Sequence, residues 1–197
     1  MLTILRSGYG KVLKLFYENK LINLHLREIA RRTNLHEPSV FRILKTLEKS
    51  NMLRVEKQGN IKKYYATKNK KTYLLYQAFD IEKYEELEKN RKKAIQVFLD
   101  ALEEKPIFTI LFGSTAKNNY KEESDIDILL VTNKKILLEN ALIETNSLTA
   151  KKISVFQITL KEFEKELKLK EDKLIQSAIK TGYPLTSHIE YYERTLK

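Results

Sequence analysis

The chain contains no cysteine, which excludes disulfide staples and thiolate metal sites and is neutral about compartment. Its three histidines, His25, His36 and His188, are too scattered in sequence to suggest a metal cluster. No stretch approaches the ~18 uninterrupted apolar residues that a membrane span requires. Basic residues already punctuate the apolar opening segment, which is unlike a signal peptide, so a cytoplasmic protein with no membrane partner is expected. Proline is scarce, and each of the three marks a boundary: Pro38 in the first turn of a helix, Pro106 at a domain entrance, and Pro184 in the break Gly182-Tyr183-Pro184. Neither an internal repeat nor low complexity is visible.

Acidic residues are also scarce, but only in the first part of the chain. Residues 1 to 80 hold 17 Lys+Arg and 6 Asp+Glu, a net of +11, whereas residues 81 to 197 hold 20 of each and balance. A basic excess confined to one end points to a polyanionic partner for that end. With 197 residues, 42% hydrophobic and 32% charged, the chain has room for two small globular domains, each able to bury a core. The expected division is 1–72, a helical linker 73–105, and 106–197, within the α+β class.

From Thr3 to Asn19, Val12, Leu13, Leu15 and Phe16 recur at helical spacing and predict a first helix. An extended segment near Leu21 leads to a second helix, Leu26 to Arg32, a break at Thr33-Asn34-Leu35, and a third helix from about Glu37 to Ser50. The apolar stripe of that third helix is Val40, Ile43, Leu44 and Leu47. Met52 to Glu56 and Ile61 to Thr67, joined through Gln58-Gly59-Asn60, predict a hairpin. The stretch REIARRTNLHEPSVFRILKTLEKSNMLRVE, with the hairpin after it, resembles a winged helix-turn-helix of small prokaryotic regulators. That resemblance implies a duplex DNA partner, the third helix in the major groove and the wing on the backbone or minor groove. Ser39, Arg42, Lys45 and Thr46 lie off the apolar stripe, with Arg42 suited to a guanine edge. Arg31, Arg32, Lys57, Lys62 and Lys63 suit phosphates. Phe41 is open to two uses, a thymine methyl or packing on the first helix.

Tyr73 to Lys105 reads as helical, in one piece or two. One stripe is Leu74, Ala78, Ile81, Tyr84 and Leu87; the other is Ala94, Val97, Phe98, Ala101 and Leu102. The first has no cover in a minimal winged domain, so it either builds a homodimer or packs on the C-terminal domain.

The C-terminal part is organised around Phe112 to Val131, FGSTAKNNYKEESDIDILLV. An apolar strand, Ile107 to Phe112, breaks at Gly113-Ser114, and SDIDILLV resumes as a second strand. Alternation places Asp125 and Asp127 on one face while Ile126, Ile128 and Leu130 face the core. Two carboxylates held together repel unless a divalent cation sits between them, and hard oxygen donors suit Mg²⁺. Gly113 lets the backbone approach a phosphate, and Ser114 can cap the turn that follows. Beyond these come a helix, Lys135 to Asn146, a strand, Lys152 to Thr159, and helices at 160–167, 171–180 and 187–196, which argue a small mixed sheet with helices against it.

A strand ending in Gly-Ser, about ten residues, and then Ser-Asp-Ile-Asp-Ile resembles the minimal nucleotidyltransferases of the DNA polymerase β superfamily. The resemblance implies a nucleoside triphosphate held by Gly113 and Ser114 with Thr115 and Lys117 alongside. It also implies catalytic metals, Mg²⁺ in kind, held by Asp125 and Asp127. Family members carry a third acid on a later strand. Here no Asp or Glu lies between Glu144 and Glu162, and Ser154 or Val155 falls at the corresponding place, which predicts weak or absent transfer. The leading expectation is a DNA-binding transcription regulator with a nucleotide-binding second domain. An active transferase, passing a nucleoside monophosphate to a protein, nucleic acid or small molecule, is the alternative. An antitoxin-like component is a third reading, since minimal nucleotidyltransferases occur opposite small helical toxins.

Overall fold

The computed structural model describes residues 3–196. The chain divides between Glu82 and Lys83 into two compact units, the second running from Lys83 to Thr195. The first opens with two helices, α1 (Thr3–Arg6) and α2 (Gly8–Glu18). The expected single helix is interrupted because the Ser7 hydroxyl accepts from the Gly10 amide and starts α2 as a new N-cap. Strand β1 (Leu24–His25) precedes α3 (Leu26–Thr33), where the His25 ring nitrogen Nδ1 accepts from the Glu28 amide at 3.2 Å. Asn34 ends α3 in the left-handed region, φ 54°.

Helix α4 (Glu37–Lys49) carries Pro38 in its first turn and buries Val40, Ile43, Leu44 and Leu47, the stripe the spacing predicts. Strands β2 (Leu53–Gln58) and β3 (Ile61–Ala66) pair antiparallel through a tight turn at Gly59, φ +61°, and β1 adds to β3. Helix α5 (Lys70–Glu85) extends this winged domain rather than linking out of it. The Tyr17 hydroxyl on α2 donates to Asp80 at 2.7 Å, its ring stacks on Phe79 at 4.9 Å, and the Tyr76 hydroxyl donates to the Phe16 carbonyl at 3.2 Å. Burial also pushes the Tyr76 hydroxyl well above the usual phenol range. The buried face of α5 is thus Tyr73, Tyr76, Phe79 and Asp80, while Leu74 and Ile81 of the predicted stripe stand 55% and 45% exposed. Large aromatic bodies outcompete Leu and Ile for this contact because each buries more apolar area.

In the second unit α6 (Lys89–Asp100) precedes β4 (Phe108–Phe112), which runs into the single turn α7 (Gly113–Ala116). Then follow β5 (Ile126–Thr132), α8 (Glu139–Thr149), β6 (Ile153–Thr159), α9 (Leu160–Leu169), α10 (Lys173–Thr181), β7 (Tyr183–Pro184) and α11 (His188–Thr195). The sheet order is β6-β5-β4-β7: β5 and β6 are parallel, while β4 is antiparallel to both β5 and β7. Both faces are covered. Leu111, Ile126, Ile128, Leu130 and Ile153 pack with Ala94, Ile95 and Phe98 of α6 and Ala141 of α8. On the other face Phe108 meets Phe163 of α9 at 5.2 Å and Tyr191 of α11 at 5.8 Å.

Three sequence expectations shift here. The stretch 73–105 is no separate segment: α5 lies mainly in the first unit and α6 wholly in the second. The helix expected at Lys135 begins only at Glu139. The break at Gly182-Tyr183-Pro184 is a short edge strand, with Ile110 opposite Pro184 and Leu111 opposite Tyr183. Among the described residues no helix is long and apolar enough to cross a membrane.

Candidate functional site

The acids and the glycine of the second unit come together at one end of the sheet. In the β4–β5 ladder Phe112 pairs with Asp127, so the chain leaves β4 beside that carboxylate. Gly113 sits at φ +69°, and a Cβ built on it would lie 2.0 Å from Asp127 Oδ2. Glycine is therefore required twice, for the left-handed backbone and for the close approach of the acid. Ser114 follows in α7, and the 113–116 turn is held by amides of Asn118 and Asn119 donating to the carbonyls of Thr115 and Ser114.

Asp125 and Asp127 lie on one face of the strand, as alternation requires, with Ile126 and Ile128 fully buried on the other. Burial, and then the neighbouring charge of Asp125, pushes the Asp127 carboxyl above the usual carboxylate range. Asp125 Oδ2 accepts from Lys152 Nζ at 2.8 Å, a bond that raises the lysine. The parallel register sets Ser154 of β6 opposite Asp127 and Val155 opposite Ile128. Of the two residues, Ser154 is therefore the one that stands beside Asp127. Among the described residues no three His, Cys, Asp or Glu side chains converge on one point. Two adjacent carboxylates nonetheless fit Mg²⁺ carried by a triphosphate, which is commonly held by one or two protein carboxylates with phosphate oxygens and water completing the shell. The ammonium of Lys152 already drawn to Asp125 marks a place where positive charge is stabilised.

The other predicted nucleotide contacts are placed unevenly. Lys117 is exposed at the end of α7. Thr115 is fully buried, and its hydroxyl oxygen accepts from Arg91 Nη1 at 2.9 Å, so its side chain supports the turn from behind. Arg91, on α6, escaped the sequence reading because its partners lie more than 20 residues away, and the one available signal was a cation on the otherwise apolar face of a helix.

In the first unit the outer face of α4 exposes Phe41, Arg42, Lys45 and Thr46, with Ser39 half-buried. Phe41 is 44% exposed, with Lys45 Nζ 5.1 Å from its ring centre. Thr46 is steadied by the Tyr9 hydroxyl at 3.4 Å. Arg31 and Arg32 are exposed on α3, and both reach one acid, Glu28, at 2.8 and 2.7 Å. Their guanidinium groups hold that carboxyl down to about 2. On the wing Lys57 lies opposite Lys62, and Lys63 opposite Glu56. Like charges facing across a ladder repel, so Lys57 and Lys62 form the part of the wing most in need of an anion.

Comparison with known proteins follows the same division. A family model described as a nucleotidyltransferase domain matches residues 91–184, and one described as an IclR helix-turn-helix domain matches residues 12–57. A Methanocaldococcus jannaschii protein named "Putative protein adenylyltransferase" is 40% identical over 84 aligned residues, covering 33% of this chain and 84% of that protein. Among solved structures, AF1382 from Archaeoglobus fulgidus is 21% identical, with 42% of this chain and 91% of that one covered, at a TM-score of 0.37. The archaeal chromatin protein TrmBL2 is 17% identical, with 83% and 75% covered, at a TM-score of 0.24. Likenesses as slight as these two carry no argument.

Proposed function

Given that the chain belongs to the nucleotidyltransferase-domain family and carries a helix-turn-helix domain ahead of that one, we propose that it is a DNA-binding regulator whose second domain binds a magnesium nucleoside triphosphate. The observation that carries the reading is the ladder that seats Asp127 between the Gly113 turn and Ser154. Gly113 and Ser114 hold the phosphate chain, Lys117 adds positive charge at its edge, and Asp125 and Asp127 hold the cation. When bound, the cation neutralises the phosphates and stabilises charge developing at the α-phosphorus. Asp125 would have to release its contact with Lys152 to hold the cation, and that ammonium would then supply positive charge beside the site.

Transfer would form a bond from an acceptor hydroxyl oxygen to the α-phosphorus and break the bond to the leaving pyrophosphate. The hydroxyl proton then needs an acceptor, and Ser154 is a far poorer base than a carboxylate. Slow or absent transfer follows. The name of the Methanocaldococcus jannaschii relative favours a second reading, adenylyl transfer to a protein hydroxyl. Incubation with α-labelled ATP and Mg²⁺ separates the two. Binding without label transfer is expected, and rapid labelling abolished by Asp127→Asn would establish the transferase instead.

DNA contact falls to Ser39, Arg42 and Lys45 on α4, to Lys62 and Lys63 on the wing, and to Arg31 and Arg32 on α3. A duplex shift that survives Arg42→Ala with Lys45→Ala unchanged would remove α4 as the reader. The exposed Leu74 and Ile81 on α5 supply the surface for a homodimer that matches two-fold half-sites. A strictly monomeric mass by light scattering at tens of micromolar would end that part.

A further inference from the structure

Arg91 is fully buried, yet it is a cation in a unit whose catalytic pattern does not call for one there. Its guanidinium is spent on a single loop. Nη1 donates to the Thr115 hydroxyl at 2.9 Å, one residue after Ser114. Nη2 donates to the carbonyls of Lys121 and Ser124 at 2.9 Å each and of Glu122 at 3.3 Å, the second of these one residue before Asp125. The Tyr120 ring lies 3.9 Å from its Cζ. The nearest carboxylate oxygen, on Glu88, is 4.0 Å from Nε, and Nε itself makes no hydrogen bond. Burying a charge with so little ionic compensation is costly. The carbonyl dipoles and the ring offset that cost only while the loop keeps its shape.

We propose that Arg91 is a positioning residue: its fork joins the Ser114-Thr115 turn to the segment entering Asp125, and so sets the spacing between the phosphate-holding backbone and the acidic strand. The inference rests on the nucleotide site proposed above and deepens it. A single side chain grips both ends of the stretch 116–124, and it does so from a helix anchored in the core by Ala94, Ile95 and Phe98. The geometry needs the planar fork rather than the charge, because an ammonium donates from one point and cannot reach Thr115 and the three carbonyls together.

Arg91→Lys in the full chain is therefore the discriminating variant. Three readings are taken on it and on wild type: circular dichroism with thermal melting, tryptic cleavage after Lys117 and Lys121, and titration of ATP and of AMP with Mg²⁺. The expected result is a folded protein whose loop is cut about ten-fold faster and whose ATP affinity falls about ten-fold. AMP, lacking the β- and γ-phosphates, should change less than about two-fold in affinity, because the spacing acts on the phosphate chain. Unchanged ATP binding in Arg91→Lys would overturn the proposal. A parallel loss of ATP and AMP that tracks the fall in melting temperature would also overturn it, by reducing Arg91 to ordinary support.

If Arg91→Lys does not fold, Thr115→Val, which deletes one acceptor at the turn, takes its place, and an ATP affinity equal to wild type would then sink the idea. A wild type that binds no nucleotide would fail the site reading itself. The loop assignment is then judged by trypsin alone, and an unchanged cutting rate would refute it.

Discussion

Gly113 joins a left-handed backbone to a close approach of the Asp127 carboxylate. Alanine there pays about 1–2 kcal/mol for the left-handed backbone and drives its methyl into Asp127 Oδ2, 2.0 Å away. Gly113→Ala should lower the urea midpoint and abolish ATP binding together, whereas Asp127→Asn should remove metal-dependent binding with little effect on the midpoint. Glu28 has the opposite effect on function. It occupies both Arg31 and Arg32, so Glu28→Gln should release two cations and tighten duplex DNA binding roughly two- to five-fold at low salt, as read by fluorescence anisotropy. An unchanged affinity would mean that neither arginine touches phosphate. Arg91 marks the limit of what single residues disclose in sequence. Asp125 and Asp127 could be placed because strand alternation is local, whereas a cation joining α6 to positions 115–124 depends on contacts that no periodicity encodes.

Among the elements, α4 and the hairpin were legible because their signals are short-range: a 3.6-residue apolar stripe, a proline in the first turn, a glycine in a tight connection. Helix α5 was legible as a helix but not in its phase, since Tyr76 resembles a surface residue until α2 offers its hydroxyl the Phe16 carbonyl and its ring the ring of Tyr17. The delayed start of α8 and the two-residue β7 were not legible either, because each is defined by what it packs or pairs with. The wing yields a graded prediction. Lys57 and Lys62 face each other with no acid between them, whereas Lys63 faces Glu56. Lys57→Ala and Lys62→Ala should each reduce the slope of log affinity against log salt by about 1, with Lys63→Ala reducing it less. Equal slopes for all three would show that the ladder does not sort them.

At the scale of the whole molecule, the two units respond to acid in different ranges. Burial depresses His188 in α11 from 6.5 to about 4, so at this group the folded second unit binds fewer protons than its unfolded chain across that interval. Its contribution is intact above pH 6.5 and lost as pH falls toward 4. Full conversion would give about 3 kcal/mol, and its partial exposure brings this to about 1–2 kcal/mol. Glu28 in the first unit is depressed from 4.5 to about 2, so what it contributes is intact above 4.5 and lost only below that. Calorimetry from pH 7 to 5 should therefore lower the melting of the second unit before the first, and His188→Asn should bring the two closer. A first unit that softens before the second over this range would contradict the assignment.

The short strand β7 has a consequence for life at high concentration. It covers β4 along only two residue pairs, but one of the two is Pro184, which has no amide hydrogen to offer a newcomer. The sheet border on that side is thereby blunted against templating by a neighbouring molecule, so the fully buried strand behind it is guarded from fibrous self-association by one imino acid.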